Sequence, residues 1–149
     1  MAAAEPTLRA AVAGDAAAIA RLAGQLGYDE PVGAIAGRLA ALRGHGGEVL
    51  VAVAPDGRVL GWIGLRVHLS LTSPREAEIA SLVVDAPARN LGLGRRFIDA
   101  AEAWARANDM ATVRVLSNTV RHDAHRFYDR EGYARIKTQQ LFARSLESH

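Results

Sequence analysis

Arg89-Asn90-Leu91-Gly92-Leu93-Gly94 lies between the apolar run Ile79-Ala80-Ser81-Leu82-Val83-Val84 and a helical stretch beginning near Arg95. A strand that passes through glycines into a helix N-terminus aims several unpaired backbone N–H groups at one point. That point is also the positive end of the helix dipole. It suits phosphate or diphosphate, and Arg89, Arg95 and Arg96 add charge around it. The spacing therefore predicts a phosphate-bearing ligand. A dinucleotide fingerprint needs a third glycine where this chain has Phe97, and an acidic residue about 20 positions later. The loop also sits past the middle of the chain rather than after a first strand. Taken alone, Gly92 and Gly94 are equally consistent with the plain end of a connection.

A second group of residues narrows the reading. Asn118, Arg121, Ala124, His125, Phe127, Tyr128, Gly132 and Tyr133 fall in the order N-x-x-R-x-x-A-x-x-F-Y-x-x-x-G-[FY]. Together with R-x-x-G-x-G after a strand, this pattern resembles the GNAT N-acetyltransferase superfamily. The likeness covers residues 76–134, and upstream of residue 48 it lies in the layout of elements. It implies acetyl-CoA as co-substrate, with the pantetheine arm lying between splayed fourth and fifth strands like an extra strand. On that reading, backbone groups of Leu82 and Val84, flanking Val83, bond the arm, and the amides of Leu91, Gly92, Leu93, Gly94, Arg95 and Arg96 take the diphosphate. Leu82 N–H becomes the donor to the thioester oxygen as it gains charge. Asn90 stands where the family most often has glycine; asparagine tolerates positive φ better than other side chains do.

The resemblance also assigns acid, base and acceptor roles. Tyr128 is the family's usual proton donor to the departing sulfur, a phenol near pKa 10 against a thiol near 8.5. An amphipathic packing tyrosine is the plainer alternative. Strand alternation places Glu78 on the same face as Leu82, as a base or an acceptor-binding carboxylate, and Glu76 competes with it. A solvated strand glutamate accounts for either. A carboxylate near pKa 4.3 is a weak base for an ammonium near 10, so a water relay or simple electrostatics fits better. Asn118 bonds pantetheine in the family pattern, or else starts the following helix as an Asx residue. His125 is a common family residue at its position and joins the coenzyme contacts. His122 and His125 lie close enough on a helix to suggest zinc, but no third ligand is near in sequence, and no metal is expected. Tyr28 borders the acceptor site by analogy. Asp29, Glu30, Glu76 and Glu78 suggest a cationic acceptor.

These side chains must be positioned by a set of elements legible in the text. Thr7–Val12 reads as a strand, followed by a helix from Gly14-Asp15 that Gly27 closes and a second helix after Pro31. Pro55-Asp56-Gly57 turns a hairpin between 48–54 and 58–71, and 76–84 is a fourth, central strand. A helix with Phe97, Ile98, Ala101, Trp104 and Ala105 on one face follows the loop. Residues 111–116 make a fifth strand, 121–131 a helix stopped by Gly132, and 133–144 the closing strands. The expected architecture is α/β (α+β), a GNAT fold. Its mixed central sheet has six to seven strands with about four helices on both faces, in one domain over residues 1–149.

Composition sets the outer bounds. The chain has 149 residues, 50% hydrophobic and 23% charged, with a net charge of +2 and no cysteine. Without cysteine an acyl-thioester enzyme intermediate cannot form, which favours direct transfer between two bound substrates. The arginines are spread and aromatics few, so no nucleic acid is expected. No run of about 18 apolar residues suggests a membrane span, and no signal peptide is evident, which points to a cytoplasmic protein. In relatives the C-terminal strands often pair across dimers, so a homodimer is among the partners implied. The reading is an acetyl-CoA-dependent N-acetyltransferase acting on a primary amine. The alternatives are a non-catalytic acyl-CoA-binding or sensing module and a generic nucleotide-binding protein.

Overall fold

Pro55-Asp56-Gly57 turns the chain as its composition predicts. Gly57 adopts φ +90°, its N–H donates to Ala54 O at 2.8 Å, and Ala54 N–H donates to Arg58 O at 2.8 Å. The computed structural model describes residues 5–117 and 121–147, in two units, 1–116 and 117–149.

The first unit holds the sheet. β1 (Thr7–Ala10), β2 (Glu48–Val53), β3 (Val59–His68) and β4 (Glu76–Val84) are antiparallel neighbours, and β5 (Val113–Val115) runs parallel to β4. The spatial order is β1-β2-β3-β4-β5. Trp62 lies opposite Val51 and Val83, while Gly61 lies opposite Ala52 and Val84. Paired residues share a face, so these rows define the two sides. Val49, Val51, Val59 and Val83 pack with Ile19 and Leu22 of α1 (Ala16–Ala23) and Leu39 of α2 (Val32–Gly44). Asp15 does not cap α1 with a forward bond. Its carboxylate turns back to Val12 N–H at 2.8 Å and takes both Nη atoms of Arg9, at 2.7 and 3.0 Å.

The other face receives α3 (Leu93–Ala107), whose Phe97, Ile98, Ala101 and Ala105 are buried as the helical spacing predicts. Phe97 can press on the sheet because Gly61 has no side chain. A Cβ there would stand 2.7 Å from Val83 O and 3.2 Å from the Phe97 ring. Gly61→Ala is therefore expected to destabilise the fold by about 1–3 kcal/mol. Gly37→Ala, where the added methyl meets nothing within 4 Å, should gain about 0.5–1 kcal/mol. Thermal unfolding of the two variants checks the pair, and equal melting temperatures would refute the packing argument.

The second unit contains α4 (His122–Arg130), ended by Gly132 at φ +86°. The closing strands expected at 133–144 are absent: the sheet has five strands among the described residues, not six to seven. A strand needs a partner edge for its backbone groups and an apolar face to bury. Lys137-Thr138-Gln139-Gln140 offers no such face, Ile136, Leu141 and Phe142 are exposed, and Arg135 is held at 2.7 Å by Asp129 of α4.

Candidate active site

β4 delivers the chain to the glycine loop through a 3-10 turn, Ala86–Ala88. Asn90 takes φ +63°, the left-handed conformation for which asparagine is the best substitute for glycine, and Gly92 takes φ +82° at the N-cap of α3. No side chain caps this helix, and its first turn-to-turn bond is Arg96 N–H to Gly92 O at 3.2 Å. The earlier amides thus point outward together, giving a 15-residue helix with an open positive end.

The arginines divide their roles around that end. Arg89 donates through Nε to Val84 O at 3.0 Å and through Nη2 to Gln25 Oε1 at 3.1 Å. Arg96 donates to Pro6 O at 2.7 Å. Arg95 is exposed and has no ion pair among the described residues. Arg89 and Arg96 therefore brace the loop, and Arg95 is the guanidinium left to meet an anion.

One edge of β4 changes partner along its length. Ala77, Glu78 and Ile79 pair with Val113, Arg114 and Val115 of β5. From Ala80 to Val84 only β3 adjoins the strand among the described residues. No described strand thus covers Leu82, Val83 and Val84 on the side from which β5 departs, immediately before the loop, although Val84 O already accepts from Arg89 Nε at 3.0 Å. Leu82 and Val84 are half-buried and Val83 is buried.

Glu78 does not share a face with Leu82. Gly64 lies opposite Ser81 and Leu65 opposite Ile79, so Ala80 is an extra residue and the pleat changes phase there. Glu78 and Glu76 face with Ser81 and Val83, and Leu82 faces with Ile79 and Ala77. Glu78 is also only 1% exposed. Its Oε2 accepts from Arg66 Nε, and its Oε1 lies 3.3 Å from Arg114 Nε, while Glu76 is 4.0 Å from Arg114. Glu30 is likewise paired, with Arg38 at 2.9 Å. These acidic residues are compensated by arginines and do not by themselves select a cationic acceptor. Tyr28 is 57% exposed, just past Gly27 at φ +93°. Trp62 packs, partly buried, against the core on the α1 and α2 side, with its indole N–H buried and unpartnered.

In the second unit Tyr128 is half-buried. Its ring centroid lies 5.1 Å from that of Phe127 and 6.0 Å from that of Tyr133. Phe127 and Tyr128 therefore touch edge to face. Burial pushes the Tyr128 phenol up to about 12, with the Arg121 charge opposing it. His125 stacks edge to face on His122 at 5.8 Å. Asn118 lies outside the described residues.

Two features escaped the sequence reading. The Arg66–Glu78–Arg114 clamp depends on cross-strand register, which nothing in the text specifies. Gln25, at the end of the first helix, bonds residues 60 to 64 positions away, and only the Gly27 stop hinted that this end was fixed.

The comparisons agree with this geometry. The family model "Acetyltransferase (GNAT) family" matches residues 16–133. An uncharacterised N-acetyltransferase of Bacillus subtilis, YhdJ, is 34% identical over 86 residues, which is 57% of this chain and 61% of that protein. The aminoalkylphosphonate N-acetyltransferase of Salmonella typhimurium is 38% identical over 79 residues, 52% of this chain and 51% of the relative. The matched stretches thus span between half and two thirds of these curated relatives. A Trypanosoma brucei acetyltransferase structure superposes with a TM-score of 0.80 at 23% identity, covering 93% of this chain and 99% of that one. With an open-edged fourth strand, an uncapped glycine-led helix and a family match over most of its length, the chain belongs to the GNAT acetyltransferase family.

Proposed function

We propose that the chain is an acetyl-CoA-dependent N-acetyltransferase that moves the acetyl group directly to a primary amine of a small acceptor, with residues 1–149 acting as one cytoplasmic domain. The observation that carries this reading is the edge of β4 over residues 80–84 that no described strand pairs, continuous with the outward amides of residues 91–95; the Arg96 amide, expected among them, is taken by Gly92 O. An extended pantetheine arm can add to such an edge as a strand does, and a diphosphate can take the helix end.

In the proposed reaction the neutral amine attacks the thioester carbonyl carbon, a C–N bond forms, and the C–S bond breaks. Leu82 N–H donates to the oxygen as it becomes an oxyanion. The leaving sulfur takes its hydrogen bond, and finally its proton, from Tyr128. The amine's own proton goes to water, and water returns a proton to the Tyr128 oxygen, so the phenol is regenerated. Glu78 has both oxygens engaged by guanidinium groups, so we assign it an electrostatic, acceptor-side role rather than direct proton abstraction. Asn118 and His125 stay with the coenzyme contacts, and Tyr28 and Glu76 with the acceptor. The name of the Salmonella relative puts small aminoalkylphosphonates among the first acceptors to try.

A screen for acetyl-CoA consumption against an amine library that includes aminoalkylphosphonates tests activity and acceptor together. Thiol release is expected only when a suitable amine is present. Tight acetyl-CoA binding without turnover across the panel would favour a sensing module. A thermal shift with NAD or ATP but none with coenzyme A would sink both readings.

A further inference from the structure

We infer that Gln25 is a positioning residue for the diphosphate-gripping loop, an inference that rests on the transferase reading. Gln25 lies on the short turn Gly24–Leu26 that ends α1. Its Oε1 accepts from Ala86 N–H at 3.1 Å and from Arg89 Nη2 at 3.1 Å, and its Nε2 donates to Asp85 Oδ1 at 2.8 Å. One planar amide thus holds both ends of the turn that joins β4 to the loop. Arg89 is tied at the same time to Val84 O, and Asp85 N–H is tied to Leu60 O at 2.7 Å, so the turn is fixed to the sheet and to α1 together.

The chemistry requires this residue type. A donor must face Asp85, whose carboxyl is held below its usual range by the Gln25 bond first and by Arg21 as well. An acceptor must face the amide and the guanidinium at the same time. Alanine supplies neither group, and glutamate supplies only the acceptor. Directly after Arg89 the backbone enters two left-handed residues, Asn90 at φ +63° and Gly92 at φ +82°. Since no side chain caps α3, the direction of its first amides follows from where Arg89 is held. Gln25 thereby joins the helix nearest Tyr28 to the coenzyme's phosphate end without itself being a reacting group.

The test is calorimetric titration with two acyl donors, acetyl-CoA and acetyl-pantetheine, which lacks the diphosphate. Gln25→Ala is expected to weaken acetyl-CoA about tenfold and to change acetyl-pantetheine by about twofold or less. Gln25→Glu should weaken acetyl-CoA as well, by placing a second carboxylate against Asp85. Adding Asp85→Asn to it reverses the polarity of that bond and is expected to restore affinity to within about threefold of the parent. Unchanged acetyl-CoA affinity in Gln25→Ala overturns the inference, as does equal weakening of both donors, which marks a general loosening. A parent chain that ignores acetyl-CoA overturns the transferase reading and this one with it.

Discussion

Replacing Arg66 and Arg114 together with alanine is expected to destabilise the protein by about 3–5 kcal/mol. For a chain of this size that is a fall in melting temperature of roughly 6–20 °C. The reason is Glu78, whose side chain is 1% exposed and lies against Arg66 at 51% exposure and Arg114 at 26%. The arginines can reach water without the glutamate, but the glutamate cannot reach water without the arginines. Removing both cations leaves a carboxylate buried against apolar neighbours and unpaired, the most expensive arrangement available to a charged group. Each single variant should cost less, because one guanidinium remains. Adding Glu78→Gln to the double variant removes the stranded charge and is expected to recover most of the loss. Chemical denaturation of the four variants and the parent checks this. A double variant within about 1 kcal/mol of the parent would show that Glu78 is solvated despite its burial.

Tyr128→Phe is expected to lower kcat by about a hundredfold, with the KM for acetyl-CoA changing by about twofold or less. The ring contacts with Phe127 and Tyr133 survive the change, so the lost group is the hydroxyl alone. The phenol, pushed up to about 12, holds its proton throughout the assay range and is a far weaker acid than a thiol near 8.5. It therefore serves the departing sulfur mainly as a hydrogen-bond donor; full transfer is uphill and is completed only as water reprotonates the phenolate. Activity should rise with pH as the acceptor amine loses its proton, with no fall assignable to Tyr128 below about pH 11. The same shift bears on stability. A tyrosine whose folded pKa of about 12 exceeds its usual 10 stabilises the fold below the lower value and loses that contribution as pH rises through the higher. A kcat profile that turns down near pH 9, or a phenylalanine variant with parental kcat, would exclude the tyrosine from the proton path.

What could be read from the text was whatever is set by local chemistry. Gly27, Gly57 and Gly132 each adopt the positive φ their positions predict, and Asn90 adopts the left-handed conformation that its side chain tolerates. The apolar periodicity of 93–107 marked the buried face of α3, and β4 runs over Glu76–Val84 as expected. What could not be read depends on pairing between distant segments. Ala80 carries no sign that it is an extra residue, since its identity suits either phase of a strand. Strict alternation therefore put Glu78 beside Leu82, and the cross-strand pairs put it on the other face. Arg66 and Arg114 looked like scattered surface charge until the register set them on either side of Glu78. The expected strands after Tyr133 failed for a related reason: local composition there tolerates an extended chain, but a strand exists only where a neighbour accepts it.

The phase change at Ala80 gives β4 two addresses on one ribbon. Upstream, its odd-numbered residues look toward α3; downstream, the even-numbered ones do. A one-residue deletion there would remove the bulge and restore plain alternation, leaving Glu78 and Leu82 on opposite faces as they are now. The spacing between Glu78 and Leu82 is thus a structural quantity in its own right: four residues across the bulge set the two on opposite layers, as three residues would in a regular strand, whereas four without the bulge would bring both to one layer.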